Sequence, residues 1–166
     1  MKYFIAFIAA LFLTACATNP AVQTTVQPSN WKFESSKSYE PANPGAGTSA
    51  KYVSTQGWVD VYSYDWERSN WITGVSDPQF SSEFNGTIQA VRHFEGVGRY
   101  KNVIATEPKD VVIANLLFRS VSFKYETSGK LVNSAIYLTA LNGKLLKYRI
   151  SLFETSKVDL ATNLDS

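Results

Sequence analysis

The chain has 166 residues, with 16 Lys and Arg against 14 Asp and Glu, which gives a formal net charge of +2 at pH 7. A nearly neutral chain without a basic stripe is a poor candidate for nucleic-acid binding. One cysteine and one histidine cannot form a disulfide framework or an ordinary zinc site, so we expect neither a metal nor another cofactor.

The first residues have the pattern of a secretory leader. Lys2 gives a positive start, and residues 4–13 follow without a charged or polar side chain. As a helix this run would span about 15 Å, roughly half the hydrocarbon core of a bilayer. It is too short to cross a membrane, and its length is typical of the apolar region of a signal peptide.

Residues 13–16, LTAC, end the leader with a leucine, two small residues and the only cysteine, Cys16. This order resembles the lipobox of bacterial lipoproteins, in which the cysteine receives a diacylglycerol and becomes the acylated first residue of the mature chain. The resemblance implies a signal peptide over residues 1–15 and a lipid anchor on Cys16, because several acyl chains together bind a bilayer firmly. Ala17 stands where an aspartate would favour the inner membrane of a Gram-negative bacterium, which implies the outer membrane, on its periplasmic side. The alternative is an ordinary secretory signal or a buried cysteine.

A tether and one domain follow the leader. Residues 17–30 carry no charge and no aromatic side chain, and they contain two prolines, so residues 16–30 are interpreted as a lipidated tether. Its flexible part has a root-mean-square reach of roughly 20 Å. From Trp31 aromatic residues become frequent, and residues 31–166 have the length of a single globular domain.

The domain begins with strand patterns and continues with one long helix. Residues 31–40 are interpreted as a first strand, and residues 50–66 as a hairpin that turns at Gly57. Within residues 75–98, Asp77 can cap a helix and Pro78 suits its first turn. Five apolar residues recur there at helical spacing on one stripe: Phe80, Phe84, Ile88, Val91 and Phe94.

The second half predicts a meander. Residues 102–116 indicate one or two strands, with Pro108 in a turn, and three alternating strands follow. A loop with an even number of residues at positions 127–130 aligns the apolar faces of the first two of these three strands.

The last hairpin has two alternatives. A two-residue turn at positions 142–143 would place Ile136 beside Arg149, whereas a three-residue loop over residues 141–143 would place Ile136 beside Tyr148. Since the second arrangement keeps apolar side chains opposite one another, we predict a three-residue loop with a bulge.

These elements define an α+β fold, with an antiparallel meander sheet of about six strands and one long helix packed on one face. Their order, with GWVDVYSYD at residues 57–65 and GKLLKYRIS at residues 143–151, resembles that of PsbP-like domains, which also occur in bacterial lipoproteins. The resemblance implies an architecture and brings no catalytic motif with it.

An aromatic cluster is the main candidate for a binding surface. Four of its members share one face of the second hairpin strand and the fifth follows shortly after; they are Trp58, Tyr62, Tyr64, Trp66 and Trp71. If Val59 and Val61 on the opposite face point to the core, the aromatic residues form an exposed platform for a glycan, a peptide or a protein. If the aromatic residues pack under the helix, they are core, and a strand covered on both faces is the third alternative.

Other candidate chemistry has simpler interpretations. His93 points away from the apolar stripe of the helix and should face solvent. Residues 44–52, PGAGTSAKY, lack the strand and helix that a phosphate loop needs, and they are interpreted as a turn-rich loop. The carboxylates are scattered without calcium-loop spacing, and Asp60 and Asp65 leave opposite faces of one strand.

The pattern as a whole favours a lipid-anchored, non-enzymatic protein of the bacterial envelope that binds a protein or a cell-wall component in the periplasm. A periplasmic immunity or inhibitor protein directed against a toxin or hydrolase is an alternative. A hydrolase acting on the envelope is a third, and it would need two convergent carboxylates or His93 beside a serine.

Overall fold

The computed structural model describes residues 31–155. The predicted signal peptide, Cys16, the tether and the last residues of the predicted domain, 156–166, lie outside the described residues. Within these bounds the elements, in chain order, are β1 (Lys32–Ser38), β2 (Thr48–Ser54), β3 (Gly57–Tyr64), α1 (Phe80–Gly96), β4 (Lys101–Ala105), β5 (Lys109–Ile113), β6 (Leu116–Thr127), β7 (Lys130–Leu141) and β8 (Lys144–Phe153).

All strands belong to one antiparallel sheet with the order β1-β2-β3-β8-β7-β6-β4, and β5 also pairs with β6. The fold class is α+β, as predicted, but the sheet has eight strands where about six were expected. The additional strands come from the region around Pro108, where β4 and β5 form separately. Both pair with β6, β4 along its second half and β5 along its first half.

The helix begins at Phe80, two residues later than a cap at Asp77 predicts. Asp77 lies in a turn ahead of α1, in which the Phe80 amide donates to the Asp77 carbonyl over 2.9 Å. The predicted stripe faces the sheet, and the buried residues of α1 are Phe80, Phe84, Thr87 and Val91. No helix in residues 31–155 is long and apolar enough to span a bilayer.

Apolar clusters cover both faces of the sheet. On the side where α1 packs, which we call the helix face, Phe80, Phe84 and Val91 meet Val121, Phe123 and Leu138. On the opposite side, the far face, Trp31, Val59, Tyr137, Tyr148 and Ile150 form a second cluster. Strands of this sheet therefore place apolar side chains in both directions.

The β6–β7 hairpin has the predicted register. Between β6 and β7, Val121 lies opposite Ile136 and Tyr125 opposite Val132, so the predicted alignment of apolar faces is confirmed, although the turn is reduced to Ser128 and Gly129.

The prediction of a three-residue loop between β7 and β8 is wrong. Leu141 pairs with Lys144 around a two-residue Asn142-Gly143 turn, and Ile136 lies opposite Arg149. Both turn residues have positive φ, 52° and 75°, as the tight hairpin turn requires. Tyr148 joins the far-face cluster instead of meeting Ile136. The prediction failed because it assumed only one apolar face for the sheet.

Candidate binding pocket beside the aromatic strand

Strand β3 places its aromatic residues on the helix face and its valines on the far face. Trp58, Tyr62 and Tyr64 contact the helix-face cluster, and Val59 and Val61 contact the far-face cluster. Tyr64 is buried, whereas Trp58 and Tyr62 are half-buried. The strand is thus covered on both faces, but its helix face is only partly closed.

The two remaining tryptophans of the predicted cluster have different environments. Trp71 is buried, and its Nε1 donates to the Asp65 carbonyl over 3.0 Å, so it belongs to the core. Trp66 is 51% exposed, and its ring packs edge-on against Tyr64 with centroids 5.4 Å apart. The Trp66 Nε1 donates to Glu83 over 3.1 Å, which fixes the orientation of an exposed indole.

A pocket of about 320 Å³ opens between β3, the β1–β2 loop, the first turn of α1 and β8. We call it the aromatic pocket, and its lining residues are Tyr39, Asn43, Ala46, Tyr62, Tyr64, Trp66, Glu83 and Lys147. Its volume lies at the lower end of the range for small-molecule sites, about 300–1,000 Å³. The pocket combines mainly aromatic walls with one ammonium and one carboxylate.

The β1–β2 loop is held against the segment that carries Trp66 by Gly45. The Gly45 carbonyl accepts hydrogen bonds from the Asp65 and Trp66 amides at 3.0 and 2.8 Å, and the Gly45 amide donates to Glu40 over 2.6 Å. Trp66 and Glu67 both have positive φ, 54° and 61°, which is unusual for side chains of this size. Such strain persists only where surrounding contacts hold it, and it is concentrated at functional sites.

Lys147 supplies the only cation of the pocket lining. Its Nζ lies 4.3 Å from the centroid of the Tyr62 ring and 5.5 Å from that of the Tyr64 ring. The Nζ of Lys147 forms no hydrogen bond or salt bridge with any other residue between 31 and 155. Burial lowers the pKa of Lys147 below its ordinary value, although Glu83 acts in the opposite direction. The ammonium is therefore partly desolvated, and no carboxylate of residues 31–155 lies within salt-bridge distance of it.

Glu83 is engaged by the aromatic wall. Its Oε1 accepts from the Tyr64 hydroxyl over 2.9 Å and its Oε2 accepts from the Trp66 indole. Burial raises the pKa of Tyr64 well above its ordinary value, and burial also raises the pKa of Tyr62 to about 12. Both phenols are therefore neutral hydrogen-bonding groups at physiological pH.

A charged pair adjoins the pocket along the same two strands. Asp60 lies opposite Arg149 in the β3–β8 register, two residue pairs beyond Tyr62 and Lys147 and on the same face of the sheet. The Arg149 guanidinium donates to Tyr125 over 3.1 Å and to Ser134 over 3.2 Å. Burial raises the pKa of Asp60, and the charge of Arg149 opposes this shift. Asp60 and Arg149 therefore place two further charged groups beside the aromatic pocket, on neighbouring strands of the sheet.

The remaining chemical candidates do not converge on a site. His93 is exposed, as predicted, and no group of three or more His, Cys, Asp or Glu in the described part of the chain could hold a metal ion. A second cavity of about 470 Å³ lies between α1 and β5–β6. Its one arginine, Arg119, is already paired with Asp110 at 2.8 Å.

Five of the eight lining residues were missed from the sequence: Tyr39, Asn43, Ala46, Glu83 and Lys147. Lys147 had a detectable signal, because the two-residue turn that was rejected places it opposite Leu138 and hence on the helix face. Tyr39 was assigned to the predicted first strand, but β1 ends at Ser38, and Asn43 precedes the predicted turn-rich loop, where no periodicity indicates direction. Glu83 lies on the helix beside the predicted stripe, at an angle that sequence spacing does not resolve.

The comparisons with known proteins show no family. No family model and no curated protein matches the chain. Among solved structures, the chain is similar to the cyanobacterial PsbP (CyanoP) from Synechocystis sp. PCC 6803, studied in solution, with a TM-score of 0.45 and 9% identity, over 82% of this chain and 88% of that chain. The ligand of the pocket has to be inferred from the pocket's own residues.

Proposed function

We propose that the chain is a lipid-anchored, non-enzymatic protein of the bacterial cell envelope that binds a protein or a cell-wall component in the periplasm. The lipobox-like residues 13–16 support an anchor on Cys16, and Ala17 supports the outer membrane. The aromatic pocket is the proposed binding site. The observation that carries the proposal is an exposed indole, Trp66, held in a fixed orientation beside an unpaired ammonium, Lys147.

Binding fits the chemistry of this pocket better than catalysis does. A general acid or base needs a group that can reach a substrate proton, and paired carboxylates are the usual arrangement for glycoside hydrolysis. Among residues 31–155, the only carboxylate that lines the aromatic pocket is Glu83, which already accepts hydrogen bonds from Tyr64 and Trp66. Aromatic residues with a few fixed polar groups are typical of recognition sites.

The experiment compares two exposed aromatic positions on opposite faces of the sheet. Trp66 borders the pocket and is 51% exposed, whereas Phe33 contacts Tyr52 toward the far face and is 54% exposed. Each is replaced in turn by a photo-crosslinking phenylalanine derivative in the full-length protein, and intact cells are irradiated.

We expect the label at position 66 to form one dominant adduct, with an envelope protein or with a cell-wall fragment, identified by mass spectrometry. The label at position 33 should not form this adduct. Equal adducts from both positions, or no adduct from position 66, would contradict the proposed binding site.

A further inference from the structure

We propose that the aromatic pocket binds a saccharide ring that carries a carboxylate, with the carboxylate paired to Lys147 and the ring placed against Trp66. This inference rests on the proposed function, since it names the chemical class of the cell-wall component. It gives a role to the Lys147 ammonium, the Tyr62 hydroxyl and the Asn43 amide, which line the pocket.

The first step concerns the charge of Lys147. A buried ammonium is costly unless an anion or several hydrogen bonds compensate for the lost water. Among the described residues, the Lys147 ammonium contacts two aromatic rings and no carboxylate, and the charges of Glu83 and Asp60 favour it only from beyond salt-bridge distance. Contacts with aromatic rings offset less of this cost than a charge-assisted hydrogen bond does. A ligand anion in the pocket would complete the environment of this ammonium.

The second step concerns Glu83, the other charged residue of the pocket. Its two oxygens accept hydrogen bonds from Tyr64 and Trp66, and it forms no salt bridge with Lys147. Glu83 therefore acts on the wall of the pocket and does not neutralise the ammonium by direct contact. A single ammonium that no carboxylate contacts fits a ligand with a single negative charge, as a carboxylate has, better than it fits a doubly charged phosphate.

The third step concerns the body of the ligand. The hydrogen bond to Glu83 and the contact with Tyr64 hold the Trp66 indole in place while half of its surface stays in solvent. A fixed, exposed indole face suits a flat ring with an apolar side, such as a pyranose. The Tyr62 hydroxyl and the Asn43 amide, which also line the pocket, can bond ring hydroxyl or acetamido groups.

The test uses a matched pair of sugars that differ by one carboxylate. N-acetylmuramic acid is N-acetylglucosamine with an added lactyl carboxylate, and D-alanyl-D-alanine offers a carboxylate without a sugar ring. Binding of each to the full-length lipidated protein in detergent is measured by saturation-transfer NMR. The variants are Lys147→Met and Trp66→Ala, with Lys51→Met as the control, because Lys51 pairs with Glu34 outside the pocket.

We expect N-acetylmuramic acid to bind at least about tenfold more tightly than N-acetylglucosamine. Lys147→Met should remove this difference by weakening the binding of the acidic sugar. Trp66→Ala should weaken both sugars, and Lys51→Met should change neither. Circular dichroism melting of each variant verifies that it is folded.

Three results would overturn the inference. The first is an acidic-to-neutral preference that survives Lys147→Met, and the second is tighter binding of the dipeptide than of the acidic sugar. The third is no binding of either sugar. If the label at position 66 still captures a specific envelope partner in that last case, the proposed function stands and only the ligand class is wrong.

Discussion

Lys147 illustrates how a single side chain can be placed at a cost to the folded state. Its pKa is lowered because burial disfavours the ammonium, so the folded protein holds this proton less firmly than the unfolded chain does. The resulting destabilisation is fully present below the folded pKa and disappears as pH rises through that value toward the ordinary one. Residues whose burial lowers stability, with no contact in the fold that offsets the cost, are frequent at functional sites.

Replacing Lys147 with methionine should therefore stabilise the protein at pH 7. Methionine keeps the length of the side chain and its contacts with Tyr62 and Tyr64 but removes the desolvated charge. We expect an increase of about 1 kcal/mol in the free energy of unfolding, measured by urea denaturation. Lys51→Met, at a partly exposed and paired position, should change stability by less than about 0.5 kcal/mol. A clear loss of stability in Lys147→Met would show that the ring contacts outweigh the cost of burial.

Gly45 is the residue on which the pocket wall depends. Its φ is +74°, and a Cβ added to it would lie 2.1 Å from the Glu67 amide nitrogen. The nearest atoms are backbone atoms of Trp66 and Glu67, which cannot move aside without distorting the chain. The strained conformation of Trp66 is held in part by the Gly45 carbonyl.

We predict that Gly45→Ala destabilises the fold by at least about 2 kcal/mol and releases Trp66 from its fixed orientation. Gly86→Ala is the matched control, because Gly86 lies inside α1 with open space around its Cβ position. This second change should stabilise the helix by up to about 1 kcal/mol. Thermal denaturation measures both effects, and NMR relaxation of the Trp66 indole N–H, assigned separately from those of the other three tryptophans, reports its mobility. Equal stability of the two variants would contradict the proposed role of Gly45.

The elements could be predicted from the sequence more fully than their pairing could. The stripe from Phe80 to Val91 placed the helix correctly because a 3.6-residue period is visible in the sequence alone. The register of β7 and β8 was not accessible in the same way. Arg149 shares a face with Ile136 because Tyr125 and Ser134 accept its hydrogen bonds, and these partners come from other strands. That error in register also concealed Lys147, and with it the charge of the pocket.

The segment that leads into α1 depends on a buried carboxylate. The Arg68 guanidinium donates to both oxygens of Asp77, at 3.0 and 2.7 Å, and the Ile72 and Gln79 amides donate to the same group. Burial alone would raise the pKa of Asp77, but the hydrogen bonds from Arg68 and the two amides lower it below its ordinary value. The stabilisation is therefore complete above the ordinary aspartate pKa of about 3.9 and is lost as pH falls through the lower, folded value.

Asp77→Asn should destabilise the protein by about 3 kcal/mol at pH 7, because it leaves Arg68 without its charge partner. The variant should also lose less stability than the wild type between about pH 4 and pH 2, since the titrating group is gone. Urea denaturation across this range measures both effects. Asp110→Asn, which breaks an exposed pair with Arg119, should cost about 0–1 kcal/mol. Parallel acid profiles for the wild type and Asp77→Asn would show that other carboxylates control acid unfolding.

At the scale of the molecule, the sheet is covered by apolar clusters on both faces, but the helix covers only part of one. The α+β class was predictable because strand and helix periods are segregated along the sequence. The position of the pocket was not, because it lies where the helix face runs past the edge of α1 and meets the β1–β2 loop. Three segments far apart in the sequence, around residues 45, 66 and 147, meet there.

The proposed attachment to the membrane can be tested apart from the pocket. We predict that Cys16→Ala abolishes acylation and moves the protein from the membrane fraction to the soluble periplasmic fraction. Mass spectrometry of the mature amino terminus and fractionation by centrifugation measure the two effects. The circular dichroism spectrum should be unchanged, because Cys16 precedes every strand described between residues 31 and 155. An unmodified Cys16 in the wild-type protein would contradict the anchor.

The two margins of the sheet have a consequence for a protein concentrated on a surface. One margin is β1, which carries Lys32 and Lys37 and whose pairing is irregular between Phe33 and Ser35. The other is divided at Pro108 into two five-residue strands, β4 and β5. Neither margin offers a long, regular row of free amides and carbonyls on which a second copy could add a strand. Molecules crowded side by side in one plane would thus resist joining into continuous sheets, and each would present its aromatic pocket independently.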